Sequence, residues 1–144
     1  MVGQNAQKFP TIVEQVIEQG HAVGNHTFNH IKGWSNRNQK YYENTALAAP
    51  LTSSKLFRPP YGQISPLQIR QFKKQYQIIM WSVLSKDYLP NLNCSKALKR
   101  ICKATKPGSI IVFHDSIKAE AQLRQLLPAY LQYCAQQGFS MQVL

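Results

Sequence analysis

His26 and His30 stand four residues apart in Gly24-Asn25-His26-Thr27-Phe28-Asn29-His30. This spacing predicts two imidazoles on one face of a helical turn, both able to reach a single metal ion. Two imidazoles make half of a tetrahedral shell. A hydrolytic centre also needs a third protein ligand and an open position for water. Farther along, Arg58, Asp87 and the pair His114-Asp115 each follow a run of strand-forming residues. The carboxyl ends of strands are where sites assemble in barrels and open parallel sheets. One such coincidence carries little weight, but a series of them at successive strand ends argues for a site.

The elements that must position these residues alternate. Ile12, Val13, Val16 and Ile17 recur with helical period, with Pro10 in the first turn and Gly20 at the stop. His21 to Asn25 reads as a short buried strand leading into the histidines. Trp34 to Ala49 is polar with moderate helix propensity. Leu56-Phe57-Arg58 is a brief strand closed by Pro59-Pro60-Tyr61-Gly62, which continues neither helix nor ladder. Ser65 caps a helix opened by Pro66. Tyr76 to Val83 reads as one strand, Ser95 to Thr105 as a helix, and Ser109 to Phe113 as a strand covered on both faces. A last helix, Ala119 to Gln137 with Pro128 inside it, ends at Gly138, and Phe139 to Leu144 reads as a final strand. Strands alternating with helices predict a parallel α/β architecture, as a barrel or a doubly wound sheet.

Composition narrows the function classes. A chain of 144 residues with 44% hydrophobic residues is one folded domain rather than a disordered tail. No apolar stretch approaches the ~20 residues needed to span a bilayer, and Met1 to Lys8 lacks the pattern of a secretory signal. The expectation is a soluble chain, cytoplasmic as given, with an envelope or secreted location left open if an export signal lies upstream. Cys94, Cys102 and Cys134 form no C-x-x-C pair and read as buried structural thiols. Seventeen Lys and Arg against six Asp and Glu give a formal charge of +11, which favours polyanions. Lys96, Lys99, Arg100, Lys103 and Lys106 have helical spacing and read as a solvated outer face. No paired-aromatic or helix-turn-helix signature accompanies the charge, so a specific nucleic-acid partner is not expected.

The motifs carry a family resemblance. The chain resembles the polysaccharide deacetylase family, also called the NodB homology domain or carbohydrate esterase family 4. His26-Thr27-Phe28-Asn29-His30 is similar to its metal motif H-[ST]-x-x-H, and Arg58-Pro59-Pro60-Tyr61-Gly62 to its R-P-P-Y-G loop. Trp81 to Tyr88 resembles the motif that usually ends in Asp-Trp, and Ile111-Val112-Phe113-His114-Asp115 the last one. The resemblance covers almost the whole chain and implies an irregular (β/α) barrel that removes N- or O-acetyl groups from a glycan such as peptidoglycan, chitin or xylan. It implies that His26 and His30 bind a divalent cation, usually zinc. The Tyr61 backbone N–H would hold the oxyanion. His114 would be the general acid, with Asp87 keeping it charged. Pro60, Tyr88 and Val112 would shape the substrate pocket. Asp115, adjacent to His114, is expected to point the other way and to be structural.

The family's T-F-D-D-G motif is absent. Its first Asp serves as catalytic base and its second as third metal ligand, and Arg58 pairs with that base. The expectation is one incomplete domain over 1–144 that lacks its first βαβ unit, with impaired activity. None of the six carboxylates offers a substitute: Glu14 and Glu18 belong to the first helix, Asp87 to His114, and Glu120 lies beyond the last motif. A non-catalytic glycan-binding protein of the same fold is the alternative.

Overall fold

Gly3–Lys8 form a short helix, α1, that no apolar periodicity marks. Its first amides are used on another segment. The Gly3 and Gln4 N–H groups donate to the carbonyls of Thr27 and Phe28, each at 2.9 Å. The computed structural model describes residues 1–144. These divide into two units, Met1–Met80 with Val143–Leu144, and Trp81–Gln142.

In the first unit, α2 spans Pro10–Glu18 with proline in its first turn, and Gly20 follows at φ 80°. Ala6, Val13 and Val23 bury together beside Met1, Val16 and Leu51. The expected strand at His21 to Asn25 reduces to one bridge, Asn25 against Phe57. α3 spans Asn38–Thr52. Its buried face is Tyr41, Asn44, Thr45, Ala48 and Thr52, at helical spacing but largely polar, which is why the sequence shows no apolar stripe there. β1 (Leu56–Phe57) pairs in parallel with β2 (Gln77–Ile78). Between them run a 3₁₀ turn, Pro60–Gly62, and α4, Pro66–Phe72. Ser65 and Gln68 form a reciprocal capping box at α4, worth about 1 kcal/mol. Tyr41, Phe57 and Phe72 form the core beneath β1, their rings 4.7–6.4 Å apart.

In the second unit, β3 (Val83–Leu84) pairs in parallel with β4 (Ile111–Val112), joined through α5 (Cys94–Ala104). The α6 helix, Glu120–Gln136, tolerates Pro128 inside it. Val83, Ile101, Tyr130 and Cys134 form the core, with Phe113, Tyr133 and Phe139 packed against it.

Other expectations also need correction. Tyr76 to Val83 is not one strand. The Ile79 N–H still bonds the Phe57 carbonyl at 2.8 Å, but the Ser82 N–H bonds that of Ile110 at 3.0 Å, so the chain changes partner midway and the ladder breaks. Phe139 to Leu144 is not a strand either. Gly138, at φ 70°, closes α6, and the Phe139 N–H returns to the Cys134 carbonyl at 3.0 Å, a helix-stop bond that leaves the tail unpaired with any strand. Of the three thiols only Cys134 is buried, while Cys94 and Cys102 are half-buried, and all three are free. The expected basic face is exposed at Lys96, Lys99, Arg100, Lys103 and, just beyond α5, Lys106; Arg100 also donates to the carbonyls of Leu84 and Ser85 at 3.0 and 2.7 Å.

Candidate active site

The His26–His30 segment is not the helical turn that its spacing suggests. Thr27 and His30 take φ 60° and 56°, left-handed values that an α-helix excludes and that cost side-chain-bearing residues about 1–3 kcal/mol. Buried amides hold this shape. Asn25, fully buried, accepts the Thr27 N–H at 3.0 Å and donates to the Thr45 carbonyl at 2.9 Å. Asn44 accepts the N–H groups of Phe28 and Asn29, both at 3.0 Å, and the Thr27 hydroxyl accepts the Ile31 N–H at 3.2 Å. The loop still brings the two imidazoles together, ring centres 4.8 Å apart and inclined at 61°. Two histidines on one tetrahedral zinc have ring centres about 5 Å apart, so the pair fits half a shell.

His26 Nδ1 lies 2.5 Å from the Arg58 carbonyl oxygen. A carbonyl only accepts, so this nitrogen carries the proton and Nε2 keeps its lone pair. Burial, reinforced by the positive charges around it, pushes the His26 pKa down to about 3 against the opposing carbonyl bond. The ring is therefore neutral at physiological pH, as a metal ligand must be. No third His, Cys, Asp or Glu joins the pair.

Arg58 follows β1. Its side chain is half-buried, which lowers its pKa, and its Nε donates to the Ile79 carbonyl at 3.2 Å. No carboxylate pairs with it: the ion pairs of the chain are His114–Asp87 and Arg124–Glu120. Pro59 and Pro60 are fully buried and stiffen the loop into Tyr61, whose φ is 58°. The Tyr61 ring lies 4.7 Å from that of His30. The hydrogen bonds of this turn come from the amides of Gly62 and Gln63, at 3.0 Å each, and not from that of Tyr61.

In the second unit, parallel pairing of β3 with β4 brings Asp87 beside His114. Asp87 is fully buried and accepts three hydrogen bonds. The Ser85 hydroxyl (2.8 Å) and His114 Nδ1 (2.6 Å) meet Oδ1, and the His114 backbone N–H (2.8 Å) meets Oδ2. His114 Nδ1 is thus fixed, and Nε2 faces the other way on a ring one-third exposed. Tyr88 stands edge-on to that ring at 4.8 Å. Val112, two positions before His114, is buried on β4, and Asp115 is exposed.

Within the first unit the structure thus gathers His26, His30, Arg58, Pro60 and Tyr61, and within the second Asp87, Tyr88, Val112 and His114. The sequence reading missed the supports: Asn25, Asn44 and Ser85. A buried Asn directly before a histidine leaves only a weak signal in sequence, because asparagine is common in turns.

Each unit is built on a parallel strand pair with helices packed beside it, an α/β arrangement. The profile of the family Polysaccharide deacetylase matches residues 1–79. A peptidoglycan-N-acetylglucosamine deacetylase of Bacillus cereus is 31% identical over 148 residues, covering 96% of this chain and 68% of that protein. Another from the same organism is 30% identical over 124 residues, covering 81% and 44%. A crystal structure of a peptidoglycan N-acetylglucosamine deacetylase, bound to a naphthalenyl N-oxidanyl-benzamide, matches with a TM-score of 0.86 at 25% identity, covering 99% of this chain and 70% of that one. The chain belongs to the polysaccharide deacetylase family and has its α/β fold, while spanning less than half of one of these relatives.

Proposed function

We propose that this chain serves the hydrolytic removal of acetyl groups from an acetylated glycan, peptidoglycan or a chitin-like polymer, with a divalent cation, zinc by preference, held by His26 and His30. The observation that carries the reading is the fixed His26 tautomer: Nδ1–H is given to the Arg58 carbonyl, leaving a neutral ring with a lone pair beside His30. A bound cation would supply Lewis acidity toward the acetyl carbonyl and the attacking water.

The protein's own groups take the remaining roles. The Tyr61 N–H, unused by its turn, is assigned to the oxyanion. His114 is assigned to protonate the departing amine or alkoxide through Nε2. Asp87 holds the ring by Nδ1 and stabilises its charged form without taking the proton. Pro60 in the first unit, and Tyr88 and Val112 in the second, are assigned to substrate binding. Arg58 positions His26 through its carbonyl.

None of the six carboxylates of residues 1–144 joins the histidine pair or Arg58. Loss of a general base costs about 10²–10⁴-fold, so turnover by these residues alone is expected to be slow. The same observation supports a second reading, a glycan-binding protein without catalysis. Acetate release from N-acetylated chito-oligosaccharide separates the two. Slow release that requires zinc, stops with chelator and disappears in His114→Ala supports the hydrolase. Glycan binding indifferent to chelator, with no acetate released, selects the binding protein.

A further inference from the structure

Arg100, in the second turn of α5, reaches back to the strand that α5 follows. Its Nη1 donates to the Leu84 carbonyl at 3.0 Å and its Nη2 to the Ser85 carbonyl at 2.7 Å. Consecutive carbonyls of an extended strand point to opposite sides. Two that meet one guanidinium therefore mark the place where the chain turns off β3. The turn continues through Lys86 at φ 62° and Asn91 at φ 56°, left-handed values that persist only where the surroundings hold them. Its other backbone ties are the Ser85 N–H on the Val112 carbonyl and the Leu89 N–H on that of Lys86, both at 3.0 Å.

Ser85 joins this turn to the His114 site. Its carbonyl is one of the two held by Arg100. Its hydroxyl, fully buried, donates to Asp87 Oδ1 at 2.8 Å and accepts the Asp87 N–H at 3.3 Å. The same Oδ1 meets His114 Nδ1 at 2.6 Å. The charge of Arg100 has no carboxylate partner, since the ion pairs are His114–Asp87 and Arg124–Glu120. Lys96 and Lys103 flank it on α5 four residues before and three after, spacings at which like charges repel. The two carbonyls account for a cation kept among cations. A planar guanidinium grips both at once with fixed geometry, which water or a lysine ammonium does not.

We infer that Arg100 is a positioning residue for His114. By clamping the carbonyls of Leu84 and Ser85 it sets the turn that aims the Ser85 hydroxyl at Asp87, and Asp87 in turn fixes the imidazole. The inference rests on the reading of His114 as proton donor and adds a group that lies outside the motifs carrying the family resemblance. Its effect passes wholly through Ser85 and Asp87. A proton donor displaced by about 1 Å loses on the order of 10²-fold in rate, so a distant clamp of this kind bears on turnover.

Imidazole NMR of the whole protein tests this through the His114 Nδ1 proton and its exchange with solvent. Arg100→Lys keeps the charge and loses the fork, and Arg100→Met loses both. In each the proton should exchange about tenfold faster, the change that loss of one charge-assisted hydrogen bond produces. Lys99→Gln, an exposed change on the same helix, should leave it as it was. Millimolar guanidinium ion should slow the exchange again in Arg100→Ala, and ammonium should not. With saturating chito-oligosaccharide and zinc, kcat for acetate release should fall about 10–100-fold in Arg100→Lys with KM unchanged. An Nδ1 proton unseen in the parent, unchanged exchange in Arg100→Met, or full retention in Arg100→Lys overturns the inference. So does faster exchange spread evenly over the amides of 81–142, which would make Arg100 a general support. Absence of acetate release from the parent protein sinks the reading of His114 instead, and the clamp is then judged on the exchange data.

Discussion

His26 gives its Nδ1 proton to the Arg58 carbonyl 2.5 Å away, so the residue that opens the Arg-Pro-Pro-Tyr-Gly loop also sets the tautomer of the first candidate metal ligand. Sequence places the two 32 residues apart. The bridge between Asn25 and Phe57 brings them together, with the Arg58 N–H on the Asn25 carbonyl at 3.0 Å.

The first consequence concerns metal. Calorimetry should find one zinc site. His26→Ala or His30→Ala should each weaken it by more than the roughly 10–100-fold that loss of an outer support costs. Asn25→Ala, which removes a support and no ligand, should fall within that range. Equal affinity in all four proteins would exclude the histidine pair as ligands.

The acid limb of stability follows from the same ring. In the folded metal-free chain His26 stays neutral down to about pH 3, whereas unfolded it takes a proton below its ordinary 6.5. Its contribution is therefore fully present above pH 6.5 and is lost as pH falls from 6.5 toward 3. The slope of that loss is at most about 1.4 kcal/mol per pH unit for the one proton. Urea midpoints at pH 7.5, 6 and 5 should decline, and His26→Gln should flatten the decline.

Asp87 anchors the second unit's site from a fully buried position. Asp87→Ala leaves the Ser85 hydroxyl and two His114 groups without their acceptor. The expected loss is about 2–4 kcal/mol, read as a lower denaturation midpoint by the fluorescence of Trp81. Ser85→Ala, which removes one donor and leaves the carboxylate bound by His114, should cost about 1 kcal/mol.

Gly33→Ala should displace the 31–37 loop, because its new methyl meets the Gln63 carbonyl oxygen at 2.3 Å and Gln68 Oε1 at 2.7 Å. The cost expected for forced overpacking is about 1–3 kcal/mol. Amide exchange should quicken in this loop and at the α4 N-terminus. Unchanged exchange there would mean that the loop is not held against Gln63 and Gln68.

Position after strand-forming runs was enough to single out His26, His30, Arg58, Asp87 and His114 as candidates, and the family resemblance supplied the Asp87–His114 pairing that the hydrogen bond between them shows. Helices α2, α4, α5 and α6 were also legible, because proline, Ser65 and Gly138 mark their ends and apolar periodicity marks α2 and α4. Other features depended on contacts that no local pattern carries. α1 is fixed by its bonds to the carbonyls of Thr27 and Phe28, and α3 buries polar residues because Asn44 and Thr45 answer the loop that carries the histidines. The same holds for the break between β2 and β3, where backbone partners change, and for the left-handed turns at Thr27 and His30. A sequence states which groups a site can use. Their orientation depends on which distant amide or carbonyl completes each hydrogen bond, and that is decided only when the chain closes on itself.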